Sequence, residues 1–310
     1  MTTWRTPGAA KLNLTLEVIG KREDGFHDLA SVALSLDLVD DVQLTRTDGE
    51  RSITYTDDRG RRLSIETSND IINRAWTALE RRCPLPGGAE IEVVKRIPLA
   101  AGLGGGSTDA AAFLRLARAA WSLDLTDEEL MVIGAEVGSD VPACLLGGPL
   151  RMAGRGDLVT PLESVSSDWA VLLHRPEIPV PAAKTAAMYR SLRSTDFRNG
   201  GATAAFVEKL SDGMSPTQEG CVNSFDRPAR EVMQGLTPAW RRMGAAIARA
   251  SLEVRAEPVT PLLAGAGPSM FAILDPDVAE RASRQLGVTA GFTYVARPLD
   301  LASATAIQKE

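Results

Sequence analysis

The fold of this chain is decided by one stretch, Pro98-Leu99-Ala100-Ala101-Gly102-Leu103-Gly104-Gly105-Gly106-Ser107-Thr108-Asp109-Ala110, in which four glycines occupy the five positions 102–106. Glycine lacks Cβ, so such a backbone can turn through positive φ and bring its N–H groups close to an anion. If a helix follows, its positive N-terminal end faces the same anion. The stretch therefore predicts a phosphate-binding loop.

The flanking residues have the patterns that this prediction requires. Residues 91–97, Ile-Glu-Val-Val-Lys-Arg-Ile, predict a strand that Pro98 ends. Downstream, apolar residues recur at helical spacing from Phe113 to Ala120, and residues 107–109 are types that cap helix N-termini. Strand, loop and helix thus follow one another in the order that binds nucleotides.

Two common nucleotide-binding loops do not match this stretch. The Walker pattern ends in Gly-Lys-Ser/Thr, but Gly106 is followed by Ser107 and the loop contains no lysine. The dinucleotide pattern needs glycine at its sixth position, which is Ser107 when counted from Gly102. A flexible loop or a close helix contact is the alternative that composition alone leaves open.

Composition limits the classes of protein to consider. The 310 residues suffice for two domains, and 44% hydrophobic with 24% charged residues are typical of folded proteins. A net charge of −6 argues against a nucleic-acid surface, which needs clustered Lys and Arg. The three cysteines are widely spaced, and neither a leader-like segment nor an apolar run of membrane length stands out. We therefore expect a cytoplasmic protein without membrane contact.

Residues 10–18, Ala-Lys-Leu-Asn-Leu-Thr-Leu-Glu-Val, predict a strand because every second residue is apolar. The apolar residues of this pattern would share one buried face: Leu12, Leu14, Leu16 and Val18. Lys11 and Asn13 would then lie together on the opposite face. They are either an ordinary solvent-facing pair or the lining of a polar cleft.

A turn is predicted at Asp24-Gly25, directly before Phe26 and His27. An aromatic ring beside a histidine can stack on a planar base and form hydrogen bonds to it. The alternative is an ordinary turn with a half-buried Phe26.

Two further segments are candidates for function. Asp140 precedes Val-Pro after a helix-like run at 126–137, which suits an N-cap residue. A carboxylate in that position can instead act as a base towards a substrate hydroxyl. Residues 264–269 form a second glycine-containing loop before an apolar strand, and an ordinary β-turn would explain it.

Taken in this order, the segments resemble the GHMP kinases over nearly the whole chain. The matching segments are Ala-Lys-Leu-Asn-Leu at 10–14, Arg-Glu-Asp-Gly-Phe-His at 22–27, the loop at 98–112, Asp-Val-Pro at 140–142 and Gly-Ala-Gly-Pro-Ser at 265–269. Any one of them could occur by chance, but the ordered set is specific.

The resemblance implies an α+β protein with the two-domain GHMP kinase architecture. Residues 1–155 would form a ribosomal-protein-S5-like α/β domain that binds nucleotide, and residues 156–310 a ferredoxin-like α+β domain. The active site would lie between the two. A composition break near Gly147-Gly148-Pro149 and Gly154 agrees with this division.

The resemblance also implies an ATP-dependent small-molecule kinase that uses Mg²⁺, whose ligands the sequence does not indicate. Asp140 would take the proton from the attacking hydroxyl, and Lys11 would stabilise the charge that develops. The nucleotide phosphates would be held by the loop residues Pro98, Ala100, Gly102, Leu103, Gly104, Gly105, Gly106, Ser107 and Thr108.

Within the family, Phe26 and His27 favour an acceptor that carries cytosine, namely a cytidine diphosphate-linked polyol, whose polyol part Asn13 would orient. One alternative is a GHMP kinase for another small alcohol, of the homoserine or mevalonate type. Such an acceptor carries no base for Phe26 and His27 to recognise. The other alternative is a catalytically silent nucleotide-binding protein, against which the presence of both Lys11 and Asp140 argues.

The chain departs from the family pattern at three places. Alanines occupy positions 264 and 266, where the family often has Ser or Thr. Asp70 stands where an asparagine commonly contacts adenine, with Asn69 one step earlier. Lys184 stands near the place of an expected aromatic residue, and Tyr189 follows five residues later, so the second stacking partner for cytosine is open. Oligomeric state is open too, as is whether residues 190–225 form an ordered lid.

Overall fold

The computed structural model describes residues 2–65, 70–163, 165–166 and 168–310. The strands are β1 (Thr3–Lys21), β2 (His27–Thr47), β3 (Ser52–Asp57), β4 (Gly88–Lys95), β5 (Leu150–Ala153), β6 (Leu158–Pro161), β7 (Ala170–Pro176), β8 (Val222–Asn223), β9 (Leu262–Leu263), β10 (Met270–Leu274), β11 (Gly291–Ala296), β12 (Pro298–Leu299) and β13 (Gln308–Lys309). The helices are α1 (Ile71–Arg82), α2 (Gly105–Trp121), α3 (Asp127–Val137), α4 (Val141–Leu146), α5 (Lys184–Arg190), α6 (Gly201–Ser211), α7 (Asp226–Val232), α8 (Leu236–Val254), α9 (Pro276–Leu286) and α10 (Leu301–Thr305). The predicted α+β class is confirmed.

The first sheet is built on the long antiparallel pair β1–β2, which the predicted turn at Asp24-Gly25 connects. Its strand order is β13-β1-β2-β4-β3, and four short strands attach to β1, β2 or β5. Helices α1, α2 and α3 cover this sheet with one cluster of buried side chains. At its centre the rings of Trp76 and Phe113 stack with centroids 5.2 Å apart.

Strand β1 is longer than the sequence pattern predicts, and β-bulges interrupt it. The four predicted apolar residues are all buried, but a bulge between Asn13 and Thr15 ends their shared face. Leu12 and Leu14 therefore join one hydrophobic cluster, whereas Leu16 and Val18 join another. The prediction of a single buried face was wrong because a bulge shifts the register of a strand.

The second sheet has the strand order β11-β7-β10-β9, and all of its described pairs are antiparallel. Along the chain its elements follow as strand, helices, two strands, helix and strand, which is the predicted ferredoxin-like arrangement. Side chains alternate between its faces, so Leu172 packs with α8 and α9 while Val171 and Leu173 pack towards the first sheet.

Strands from the later part of the chain also complete the first sheet. β12 pairs with β2, while β8 and β13 pair with β1. β6 pairs with β5, and β5 pairs with β2. The division of the chain at residues 155 and 156 stays a prediction.

Candidate active site

The glycine loop, residues 98–106, ends at the N-terminus of α2. Gly104 is the N-cap residue with φ 71°, and α2 begins at Gly105. The helix thus begins earlier than the sequence predicts, so Ser107, Thr108 and Asp109 lie inside its first turns rather than capping it. Unpaired N–H groups of a helix start carry partial positive charge, which makes this end of the loop fit for an anion.

The loop forms one wall of a cleft of about 1180 Å³. Of the residues that the sequence singled out for catalysis or binding, the cleft is lined by Lys11, Asn13, Phe26, His27, Pro98, Ala100, Gly102, Gly104, Gly105, Gly106, Ser107 and Asp140. Leu103, within the loop, and Thr108, in the first turn of α2, are instead buried. The Leu103 carbonyl accepts a hydrogen bond from the Lys11 amide, 2.9 Å long, which ties the loop to β1.

Lys11 and Asp140 meet inside this cleft. The Lys11 Nζ donates to Asp140 Oδ1 over 2.9 Å and to Asn13 Oδ1 over 3.0 Å. Asn13 in turn donates from Nδ2 to the Ser31 Oγ over 2.8 Å. The Lys11 side chain is 7% exposed and that of Asp140 41%. Lys11 and Asn13 therefore line a polar cleft and are not a solvent-facing pair.

The Asp140 side chain does not cap a helix. Asp140 is the N-cap residue of the six-residue helix α4, but its side chain makes no capping hydrogen bond. The carboxylate turns instead towards Lys11 and the open cleft. It is therefore held by a cation and remains accessible to a ligand, as a base towards a hydroxyl has to be.

Aromatic side chains line another part of the cleft. The His27 ring stacks on Tyr189 with centroids 4.6 Å apart and lies 6.2 Å from Phe197. Phe26 is half exposed, and the Arg155 guanidinium lies 4.8 Å from its ring centroid. Burial, with a smaller effect of Lys21, lowers the pKa of His27 below its ordinary value.

This arrangement bears on the second stacking partner that the sequence left open. Tyr189 and Lys184 both line the cleft, but the Lys184 ammonium is directed to backbone carbonyls and only Tyr189 offers a ring. Phe197 also lines the cleft, and it belongs to the 190–225 segment, which contains α6 and two short 3-10 turns. Phe197 and Arg155 were not predicted from the sequence, because neither lies in a recognisable motif.

The glycine loop packs directly on the late loop, residues 264–269. The Ser269 amide donates to the Ala101 carbonyl over 3.1 Å. A Cβ on Gly102 would lie 2.4 Å from the Ala264 carbonyl oxygen, so only glycine allows this approach. The late loop is therefore more than a turn between β9 and β10, since its backbone supports the glycine loop.

A second buried lysine, Lys95, lies beneath the glycine loop. Its Nζ donates to Asp40, to Asp109 Oδ2 over 2.5 Å and to the Gly105 carbonyl over 3.4 Å. Burial opposes the charge of Lys95, but Asp109 and Asp40 outweigh it and raise the pKa of the lysine. Burial raises the pKa of Asp109. The sequence reasoning took Lys95 only as part of a strand and Asp109 as a cap type.

The position expected to contact adenine has a structural role in this chain. Asp70 is the N-cap of α1 and accepts hydrogen bonds from the Asn73 amide at 3.0 Å and the Tyr55 hydroxyl at 3.1 Å. Its carboxylate is buried. Asn69, the neighbouring candidate, lies outside the described residues.

Comparisons with known proteins agree with the resemblance. Residues 70–148 match the family model described as GHMP kinases N terminal domain. A 4-diphosphocytidyl-2-C-methyl-D-erythritol kinase from Dehalococcoides mccartyi is 36% identical over 296 residues, which cover 94% of this chain and 98% of that relative. Within the part of the chain that the structure describes, every helix is too short or too polar to span a lipid bilayer.

Solved structures resemble the whole chain. A crystal structure of 4-(cytidine 5'-diphospho)-2C-methyl-D-erythritol kinase matches with a TM-score of 0.74 at 28% identity, covering 95% of this chain and 98% of that one. A homoserine kinase from Cytophaga hutchinsonii matches with a TM-score of 0.69 at 16% identity, covering 100% and 97%. At that identity the second match shows a shared fold alone.

Proposed function

We propose that this chain, which belongs to the 4-diphosphocytidyl-2-C-methyl-D-erythritol kinases of the GHMP family, phosphorylates the 2-hydroxyl of this cytidine compound with ATP. The reaction is a step of the non-mevalonate route to isoprenoid precursors. One observation carries the proposal. The glycine loop, the Lys11–Asp140 pair and the Phe26-His27 segment line the same cleft.

The Lys11–Asp140 pair provides the groups that phosphoryl transfer needs beside the acceptor. The acceptor oxygen attacks the γ-phosphorus of ATP, the bond to the leaving ADP breaks, and Asp140 takes the hydroxyl proton. Lys11 stabilises the negative charge that develops near the attacking oxygen. Positioning and electrostatics dominate such reactions, and the hydrogen bond of 2.9 Å holds these two side chains together in the cleft.

The glycine loop fits the phosphates of ATP. Gly102 and Gly104 have φ of 85° and 71°, backbone conformations that glycine adopts readily and other residues rarely. The loop contains no lysine of its own. Backbone amides and the N-terminus of α2 therefore do most of the binding.

The cleft offers few protein ligands for Mg²⁺, so the phosphates of ATP would supply most of them. In the described ranges no three His, Cys, Asp or Glu side chains lie close enough to hold a metal ion. Mg²⁺ keeps several waters and binds largely through substrate phosphates. The Ser107 hydroxyl, which lines the cleft near the start of α2, would contribute a protein ligand, while the Asp140 carboxylate stays available as the base. The ion would neutralise charge on the phosphates.

The aromatic part of the cleft accounts for a base on the acceptor. Phe26 is half exposed, and Tyr189 lines the cleft against the His27 ring. Two rings of this kind can enclose cytosine by stacking, and the neutral imidazole of His27 can form a hydrogen bond to the base edge. Asn13, fixed by Lys11 and Ser31, is placed to bind a polyol hydroxyl.

ADP release by the purified chain tests the proposal. The assay supplies Mg²⁺ and ATP with the cytidine compound, and in parallel with homoserine, mevalonate or galactose at equal concentration. We expect turnover with the cytidine compound alone. Turnover only with another alcohol would overturn the substrate assignment and leave the kinase chemistry. ATP binding without turnover on any acceptor would favour a catalytically silent nucleotide-binding protein.

A further inference from the structure

Lys184 links three parts of the cleft wall. It begins α5, and its side chain is buried. The Nζ donates to the Ala100 carbonyl over 2.9 Å and to the Gly267 carbonyl. Ala100 belongs to the glycine loop and Gly267 to the late loop. A single ammonium group thus joins both loops to a helix from a third segment of the chain.

One of the two carbonyl groups belongs to a residue with an unusual backbone conformation. Ala100 has φ 53°. Positive φ is costly for an alanine, so the surrounding contacts have to hold Ala100 in place. A charge-assisted hydrogen bond from a buried ammonium is stronger than one between neutral groups. Lys184 is therefore the contact best suited to hold this part of the loop.

The loop has a second charged contact at its other end, where the Lys95 Nζ donates to the Gly105 carbonyl over 3.4 Å. The contacts nearer to Ala100 are weaker. The Ser269 amide donates to the Ala101 carbonyl, and the Lys11 amide donates to the Leu103 carbonyl. Both of these are single backbone hydrogen bonds between neutral groups. Burial, with a smaller effect of Arg175, lowers the pKa of Lys184 to about 8, so the group is mainly an ammonium at neutral pH.

We propose that Lys184 is a positioning residue for phosphoryl transfer, because it holds the glycine loop against the late loop and so fixes the amides that receive the phosphates of ATP. The proposal rests on the proposed kinase function. It assigns to Lys184 a role through backbone carbonyls, not the stacking role of the aromatic residue expected near this position.

Lys184→Met tests the proposal by removing the charge while keeping an unbranched side chain. We expect the KM for ATP to rise about tenfold, while the KM for the acceptor stays within about twofold. Amide hydrogen exchange in residues 98–106 should become faster by a similar factor. Lys184→Arg, which keeps the charge, should restore most of the ATP affinity. Lys209→Met, at an exposed position of α6, is the matched control.

The outcomes separate this proposal from the proposed function. Wild-type exchange rates and an unchanged KM for ATP in Lys184→Met would overturn the positioning role. Equal rises in the KM for ATP and for the acceptor would also overturn it, since they indicate a general structural defect. If the wild type fails to use the cytidine compound, calorimetry of ATP binding and the exchange rates still decide the role of Lys184. If Lys184→Met does not fold, failure of Lys184→Arg to keep slow exchange near Ala100 would contradict the proposal.

Discussion

Two buried lysines lie beside the glycine loop, and their acidic partners differ in exposure to solvent. The Lys11 and Lys95 side chains are 7% and 4% exposed. Asp140, the partner of Lys11, is 41% exposed, whereas Asp40 and Asp109, the partners of Lys95, are 0% and 3% exposed. Similar residue types thus form one site open to a ligand and one sealed from it.

The difference shows that solvent exposure of the carboxylate, more than residue type, separates a lysine–aspartate pair that can act on a ligand from one that stabilises the fold. A carboxylate that reaches the cleft can exchange a proton with a bound hydroxyl. A sealed cluster cannot, but a buried charge that loses its partner is costly. Asp40 also accepts hydrogen bonds from the amides of Arg96 and Ile97, at 2.6 and 2.8 Å, so the sealed cluster fixes the strand end before the loop.

The largest effect is expected when the open site loses its carboxylate. Asp140→Asn should lower kcat by roughly 10³-fold, because an amide cannot take the hydroxyl proton. The affinity for ATP and the melting temperature should change little, since the side chain caps no helix. Steady-state kinetics and calorimetry measure these quantities, with the exposed Asp124→Asn as control. Parallel losses of ATP affinity and kcat would instead give Asp140 a structural role, like that of Asp40 and Asp109.

The sealed site is expected to show its effect in stability. Lys95→Met leaves two buried carboxylates without their cation and should lower the free energy of unfolding by about 3–5 kcal/mol. Urea unfolding measures the change. The double variant Lys95→Met/Asp109→Leu should regain part of the loss, because it removes one stranded charge. A loss below about 1 kcal/mol in the single variant contradicts the supporting role.

A sealed group outside the cleft extends the comparison to pH. His174 on β7 is fully buried, its Nδ1 lies 2.9 Å from the Thr293 Oγ1, and burial, with a smaller effect of Arg242, lowers its pKa to about 4. The folded state therefore favours the neutral ring, so its contribution is complete above pH ~6.5 and is lost as the pH falls towards ~4.

This loss should reach on the order of 3 kcal/mol. Urea unfolding at several pH values measures it, and the slope between pH ~6.5 and ~4 should be smaller in His174→Gln. An unchanged slope in that variant would assign the pH dependence to other groups.

The smallest effect is expected at the aromatic part of the cleft. His27→Ala should raise the KM for the cytidine compound about tenfold, the size expected for one lost hydrogen bond and stacking contact. The KM for ATP serves as an internal control, since it should stay within about twofold. An unchanged KM for the cytidine compound would remove His27 from base recognition.

The sequence predicted best what depends on neighbouring residues. The bounds of β10, residues 270–274, agree with the apolar run, and α3 follows Thr126, whose side chain forms a capping box with Glu129. The glycine loop was identified because its backbone requirement is local. Lys11 and Asp140 lie 129 residues apart, so only the resemblance to a family could pair them.

The residues that the sequence reasoning missed depend on contacts between distant segments. Lys95 meets Asp40 and Asp109 across 55 and 14 residues, and the three residues lie on three different elements, so no local pattern links them. The early start of α2 depends on Gly104 adopting φ 71°. Glycine allows this conformation but does not require it, so the sequence does not predict it. The role of Lys184 could not be predicted from the sequence, because its partners are backbone carbonyls, which leave no pattern in the sequence.

Strand β1 has a mechanical consequence for how ligands enter. Its 19 residues span about 60 Å, and they contribute side chains to two hydrophobic clusters on either side of the bulge at Asn13. Neighbouring β2 pairs with it from Thr3 to Lys21, through three shifts of register. A hinge motion between the regions that contain these two clusters would have to bend β1 and β2 and break the hydrogen bonds between them. We therefore expect ligands to enter and leave through local movement of loops and aromatic side chains, while β1 and β2 stay rigid.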